Sequence, residues 1–154
     1  MGGSPTPISW GELYTALQGK VVDGAENNPP SFYLSHHYEV CNYYTLNEHT
    51  RIPDVLLMST HTQKKLTDQE EKWLMQAVEE SVKVQRKEWM KSERQALDSL
   101  KKEGVEIINP DKQPFKDAVE SVYAIYEDNE VISGLIQRIR AVDPKGDQEK
   151  KMEQ

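Results

Sequence analysis

The stretch from Thr67 to Gly104 constrains the fold of this chain more than any other feature. Thr67 is followed three residues later by Glu70, a capping-box pattern, and neither proline nor glycine occurs again before Gly104. An unbroken helix over residues 68–103 would be roughly 54 Å long, which exceeds the diameter of a small domain core. The sequence therefore predicts one long helix, residues 67–103, that no small core could bury along its whole length.

The apolar residues of this segment recur at helical spacing in both halves, with charged residues between them. They are dense at first and sparser later: Leu74, Val78 and Val82, then Trp89, Ala96, Leu97 and Leu100. A helix with an apolar face near each end and a charged middle is typical of a strut between two lobes. An ordinary amphipathic helix with a kink would give the same pattern, and the residues alone do not separate the two.

Shorter elements flank the long helix. Ser9 with Glu12 forms a second capping-box pattern, and the helix that follows is expected to end at Gly19. Pro29-Pro30 suits the first turn of a short helix, and further amphipathic helices follow Phe115 and Val131. The strand-like segments predict a sheet surrounded by helices: Val21-Val22, residues 38–49, residues 54–59 as a fully buried strand, and residues 105–109.

Composition and charge exclude several classes of function. The chain has 154 residues and a formal charge of −7, from 19 Lys and Arg against 26 Asp and Glu, whereas nucleic-acid binding needs a concentrated basic face. No apolar run approaches the roughly 20 residues of a membrane span. Cys41 is the single cysteine, which leaves no internal disulfide and no cysteine-based metal site. The first residues carry no signal-peptide pattern.

Catalytic motifs are missing from the sequence, so we do not expect an enzyme, a metal site or a cofactor. It contains no G-x-S-x-G, Gly-rich phosphate loop or H-E-x-x-H pattern. Asp23 and Glu26 could form an acid/base pair, although a turn aspartate is the simpler interpretation. His36, His37 and His61 are interpreted as surface residues.

The candidate ligand-binding residues are Trp10, Glu26, Asn27, Asn28 and His49. An indole offers a flat apolar face to the C–H side of a sugar or a sugar acid, and paired asparagine amides suit hydroxyls that both donate and accept. Each has an alternative: Trp10 as core packing, the asparagines as a turn, and His49 as a hydrogen-bonded residue at a sheet edge.

These residues sit in a recognisable pattern. The motifs are Pro5-Thr-Pro7, Glu12-Leu-Tyr-Thr-Ala-Leu-Gln18, Asp23-Gly24 with Glu26-Asn27, Tyr38-Glu39-Val40 and His49. Together they resemble the middle and C-terminal portion of the substrate-binding proteins of tripartite ATP-independent periplasmic (TRAP) transporters. The resemblance runs loosely on to about Pro144.

The resemblance implies the fold. We expect a helix-dominated α/β chain that forms the C-terminal part of a two-lobed periplasmic substrate-binding protein, with the long helix running between lobes. Residues 1–142 would supply parts of lobe two, the long helix and the terminal helices, and residues 143–154 a disordered tail. Family members are longer, so we expect this chain to be a piece that lacks lobe one.

The resemblance also implies function. Asn27 resembles a ligand-contacting residue and Trp10 the residue that packs on the ligand, while Trp10 and Asn28 together resemble the subset that binds uronates and related sugar acids. The expected partners are a small carboxylate and the TRAP membrane subunits, in the periplasm. The arginine that clamps the ligand carboxylate in the family has no match here and is expected upstream.

Two consequences follow from a missing lobe. Exposed apolar surface would favour self-association of this chain, and the chain alone would not bind sugar acids measurably. The alternative function is a helical interaction or regulatory protein without ligand binding.

Overall fold

The computed structural model describes residues 3–142, which fall into two compact units, Ser4–Pro110 and the residues from Asp111 onward. The tail predicted at 143–154 lies outside the described residues. Among the described helices, none combines the length and the apolar character that a membrane crossing needs.

The long helix is present as predicted. It is α4, Asp68–Lys102, a single α-helix of 35 residues. Its capping box is complete, because the Glu70 N–H donates to the Thr67 hydroxyl at 3.3 Å and the Thr67 N–H donates to the Glu70 carboxylate at 2.8 Å. Side chains are exposed throughout residues 79–91, and burial begins only in the last turns, at Ala96 and Leu100. The role of α4 as a strut between lobes stays a prediction.

A glycine in the left-handed region ends α4. Gly104 has φ +87°, its N–H donates to the Lys101 carbonyl at 3.2 Å, and the Val105 N–H donates back to the Leu100 carbonyl at 3.0 Å. This pair of bonds is a Schellman motif, which needs a residue that tolerates positive φ at the position of Gly104. It also brings Leu100 and Val105, 0% and 6% exposed, into one core.

The remaining helices of the first unit are short. A 3₁₀ turn at Trp10–Glu12 leads into α1, Leu13–Gln18; then come α2, Pro29–Leu34, a second 3₁₀ turn at His37–Glu39, and α3, Thr60–Gln63. The start of α2 at the two prolines and the end of α1 before Gly19 confirm the sequence predictions. The capping box predicted at Ser9 is incomplete, because its hydroxyl donates to the Glu12 carboxylate at 2.6 Å and makes no bond to the backbone.

The sheet has two parallel strands in the described residues, β1, Tyr43–Thr45, and β2, Glu106–Ile108. Tyr44 pairs with Ile107 across the ladder. The strand predicted at 105–109 is confirmed, whereas the strand-like segment 38–49 contributes only three residues. Phe32 of α2 joins Leu100 and Val105 in the buried core, and further side chains pack against it: Tyr33, Tyr38, Cys41, Tyr44 and Ile107.

Two strand predictions are wrong. Residues 54–59 form no strand, and Val55, Leu56 and Leu57 are 70%, 73% and 83% exposed. Their apolar character favours burial, but burial needs a neighbouring element, and β1 and β2 pair with each other instead. The strand predicted at Val21-Val22 is also missing, because the Val21 N–H closes the turn after α1 by donating to the Ala16 carbonyl at 2.9 Å. Val21 is 69% exposed.

The second unit contains the two terminal helices that the sequence predicts, α5, Gln113–Ala124, and α6, Glu130–Arg140. They meet at Arg140, whose guanidinium contacts the Glu120 carboxylate at 3.1 Å and lies 4.6 Å from the centre of the Tyr123 ring.

Candidate functional site

The two asparagines lie in a turn that their own side chains stabilise. The Asn28 N–H donates to Oδ1 of Asn27 at 2.9 Å, and the Ser31 N–H donates to Oδ1 of Asn28 at 2.9 Å. Asn28 is thus the N-cap of α2. With both Oδ1 atoms engaged, each asparagine has its side-chain NH₂ group to offer as a donor to a hydroxyl or carboxylate oxygen.

A tyrosine from the sheet holds the same turn from the other side. The Tyr44 hydroxyl donates to the backbone carbonyl of Asn27 at 2.6 Å, and its ring lies 5.0 Å from that of Phe32. Burial, with smaller contributions from the negative charges of Glu93 and Glu26, raises the pKa of Tyr44 to about 12. The hydroxyl therefore remains a donor throughout the neutral range.

Glu26 and His49 come together although they are far apart in sequence. Nε2 of His49 lies 3.5 Å from a carboxylate oxygen of Glu26, and Nδ1 lies 2.8 Å from Oδ1 of Asn47. The His49 side chain is 29% exposed and that of Glu26 is 70% exposed. Because both ring nitrogens of His49 already face protein oxygens, His49 supports the Glu26 carboxylate, and that exposed carboxylate is the group of the pair that is open to a ligand.

Trp10 lies in a separate group of rings within the same unit. Its indole is edge-on to the His37 imidazole, 5.2 Å between centroids, and the Tyr14 ring lies 6.3 Å from the same imidazole. The Tyr14 hydroxyl donates to the Glu39 carboxylate at 2.9 Å, and this bond is the main cause of the raised pKa of Tyr14. Trp10 is 53% exposed, so it is not core packing.

His37 contradicts the interpretation of the adjacent histidines as surface residues, because it is only 4% exposed. The 3₁₀ turn at His37–Glu39 carries it inward between Trp10 and Tyr14. His36, at φ +57°, stays outside and pairs with Glu39 at 3.1 Å. Burial lowers the pKa of His37, which keeps its imidazole neutral near pH 7.

The structure therefore brings Glu26, Asn27 and His49 to one loop region, commits part of Asn28 to capping, and leaves the Trp10 indole as an open face. Two open surface grooves in the described residues lie elsewhere, one of 440 Å³ between α2 and α4 and one of 130 Å³ between α5 and α6. Within the described residues, no group of three or more His, Cys, Asp or Glu side chains is arranged to hold a metal ion.

Sequence reasoning missed two residues of this region. The sequence gives a weak indication for Tyr44. Neighbouring residues of a strand point to opposite faces, so only one of Tyr43 and Tyr44 can face the core, and Tyr43 is the exposed one, at 64%. His37 gave no signal, because a histidine doublet does not reveal which ring turns inward.

Comparison with known proteins places the chain in context. The sequence model of the DctP family, described as bacterial extracellular solute-binding protein, family 7, matches residues 1–129. A curated relative, YiiZ of Salmonella typhimurium, is 40% identical over 141 residues, which cover 91% of this chain and 43% of that protein.

Solved structures match at least nine tenths of the chain. A TRAP periplasmic solute-binding protein from Roseobacter denitrificans with bound β-D-glucuronate has a TM-score of 0.83 and 36% identity, covering 92% of this chain and 48% of that one. A counterpart from Xanthobacter autotrophicus with bound β-D-galacturonate has a TM-score of 0.79 and 37% identity, covering 90% and 46%. The chain thus spans less than half the length of the relatives it matches.

Proposed function

The chain belongs to the bacterial extracellular solute-binding protein family 7, and from that premise we propose that it is part of the solute-binding component of a TRAP transporter. Its ligand is an organic acid, most specifically a sugar acid such as a uronate, bound in the periplasm and passed to the membrane subunits. The observation that carries the proposal is the structural match to uronate-bound proteins at 36–37% identity over at least 90% of the chain.

The side chains described above suit such a ligand. The half-exposed indole of Trp10 offers a platform for the C–H face of a pyranose ring. The Asn27 amide can donate to ring hydroxyls, and the exposed Glu26 carboxylate, which His49 contacts from one side, offers an acceptor nearby. The partner for the ligand carboxylate is expected outside this sequence, as the family resemblance implies.

Binding rather than catalysis is the proposed mechanism. A two-lobed protein encloses its solute and releases it by opening, so the work is done by lobe closure and not by bond making. The matches reported above support this interpretation and give no support to the helical interaction protein considered as the alternative.

A chimera tests the proposal directly. Joining residues 1–154 to the N-terminal half of the Roseobacter denitrificans relative supplies the remainder of the site, and isothermal titration with glucuronate and galacturonate measures affinity. Trp10→Ala and Asn27→Ala should each weaken binding roughly 5- to 150-fold, the effect of about 1–3 kcal/mol from a lost ligand contact. Trp73→Ala and Asn42→Ala are the matched controls, because these residues are exposed and lie outside the candidate site.

The results decide between two interpretations. Affinities unchanged in both site variants would assign Trp10 and Asn27 a purely structural role and contradict the proposal. The 154-residue chain without the N-terminal half of the relative should show no measurable binding. Contacts on one side of the ligand alone cannot overcome an association cost of at least about 4 kcal/mol.

Self-association of the chain is the accompanying proposal. Residues 55–57 carry three consecutive apolar side chains, each at least 70% exposed, in a segment that belongs to no helix or strand. Surface of this kind favours contact with another chain.

A further inference from the structure

The hydrogen bond between Tyr44 and Asn27 connects the candidate site to the core of the unit. Tyr44 lies on β1, its ring packs on Phe32, and Phe32 is 7% exposed in the cluster with Leu100. The 2.6 Å bond joins residues 17 positions apart. It is therefore a tertiary contact, whereas the two asparagine side-chain bonds are local to the turn and the start of α2.

We infer that Tyr44 is a positioning residue, which fixes the peptide of Asn27 and thereby the direction in which the Asn27 side chain meets the ligand. This inference rests on the function proposed for Asn27. The peptide group between Asn27 and Asn28 accepts from the Tyr44 hydroxyl through its carbonyl and donates to Oδ1 of Asn27 through its N–H, so a change in the plane of this peptide re-aims the side-chain amide. Without the Tyr44 hydroxyl, the described contacts of the turn are the local bonds at Asn28 and Ser31 and the exposed contact between Glu26 and His49 at 3.5 Å, and none of them engages the Asn27 carbonyl.

The chemistry of the bond suits a fixed support. A phenol at 2.6 Å from a partly buried carbonyl makes a short bond, and a raised pKa, about 12, keeps its proton in place under physiological conditions. The ring cannot swing away without giving up its contact with Phe32, so the donor is preorganised. Preorganised groups lower the entropy cost of binding.

Tyr44→Phe is the sharpest variant, because it removes the hydroxyl and keeps the ring that packs on Phe32. Tyr33→Phe is the matched control, since Tyr33 packs against the same core from α2. In the 154-residue chain, amide hydrogen exchange by NMR should show faster exchange at Asn28 in Tyr44→Phe and unchanged exchange in Tyr33→Phe. Equal exchange at Asn28 in the wild type and in Tyr44→Phe would overturn the positioning role without any ligand being needed.

Affinity for glucuronate in the chimera provides the second measurement. Tyr44→Phe should weaken binding about 3- to 10-fold, as expected for one hydrogen bond acting indirectly, and Tyr33→Phe should not. In the Asn27→Ala background the same substitution should change affinity less than about 2-fold, because the side chain it aims has been removed. A role in general stability would instead weaken binding in both backgrounds equally.

The outcomes separate the inference from the function on which it rests. If Asn27→Ala leaves the affinity unchanged, the proposed site fails and the role of Tyr44 in binding fails with it. If Asn27→Ala weakens binding while Tyr44→Phe does not, the site stands and the inference about Tyr44 is overturned.

Discussion

Trp10 meets His37 edge-on, with 5.2 Å between the ring centroids and 68° between the ring planes. The contact ties the exposed indole to a buried imidazole, so the position of the proposed ligand platform depends on a group that can ionise. A neutral His37 packs between Trp10 and Tyr14, and a charged one would have to be hydrated.

The stability of the first unit should therefore decrease on acidification. Burial lowers the pKa of His37 below its ordinary 6.5, so the folded state binds fewer protons than the unfolded state. The stability from a neutral His37 is fully present above pH 6.5 and is lost as the pH falls through the folded-state pKa. His37→Phe should show a smaller decrease in melting temperature between pH 7.5 and 5 than the wild type. His61→Phe, at an exposed position, should show the same decrease in melting temperature as the wild type. A decrease in His37→Phe as large as in the wild type would contradict the prediction.

The end of α4 predicts opposite effects for one substitution at two glycines. Gly104→Ala places a Cβ at φ +87° and should lower the free energy of unfolding of the first unit by about 1–2 kcal/mol. Gly134→Ala lies inside α6, where the new Cβ meets nothing within 4 Å, and should stabilise that helix by about 0.5–1 kcal/mol. Urea titration followed by circular dichroism measures both. Equal effects at the two sites would mean that the left-handed turn at Gly104 does not matter.

These features show which parts of the fold the sequence can predict. The Thr67 capping box, the glycine that ends α4 and the prolines that begin α2 depend on residues a few positions apart, so local patterns suffice. The pairing of β1 with β2 joins Tyr44 to Ile107 across the whole of α4, and no local pattern specifies that partner.

The same distinction explains the errors at the site. His37 is buried because Trp10 and Tyr14 pack on it. Tyr44 lies at the candidate site because its hydroxyl donates to the Asn27 carbonyl. Both are tertiary contacts. Residues 54–59 have the composition of a buried strand but no strand beside them in the described residues. Their burial depends on a neighbour and not on their own pattern.

The core of the first unit should respond strongly to loss of Leu100. Its side chain is 0% exposed and packs with Phe32 and Val105. Leu100→Ala should cost about 2–5 kcal/mol through lost burial and the cavity left behind. Leu34→Ala, at a leucine that is 71% exposed, should stay within about 0.5 kcal/mol of the wild type. Comparable losses in both variants, measured by chemical denaturation, would show that the core lies elsewhere.

Alkaline unfolding should report the buried Tyr44 hydroxyl. Its pKa is raised from 10.0 to about 12, so the folded state retains a proton that the unfolded state loses. The corresponding stability is fully present below pH 10 and is lost as the pH rises through about 12. Tyr44→Phe should therefore show a shallower loss of stability between pH 10 and 12, measured as the urea midpoint at each pH. Tyr43→Phe, on the exposed face of the same strand, should lose stability with pH as the wild type does. An identical dependence of the urea midpoint on pH in all three proteins would contradict the raised pKa of Tyr44.

The exposed apolar segment after β1 should govern self-association. Leu56 and Leu57 are 73% and 83% exposed and lie in a segment that belongs to no helix or strand, which leaves both side chains open to another chain. Sedimentation velocity of the 154-residue chain should show species heavier than a single chain, increasing with protein concentration. Leu56→Lys with Leu57→Lys should shift the distribution toward the single chain, because two adjacent positive charges oppose pairing between copies of the segment. Leu34→Lys provides the control, since this leucine is equally exposed but lies on α2, outside the segment. A single-chain mass for the wild type, or an unchanged distribution in the double variant, would show that residues 54–59 do not mediate association.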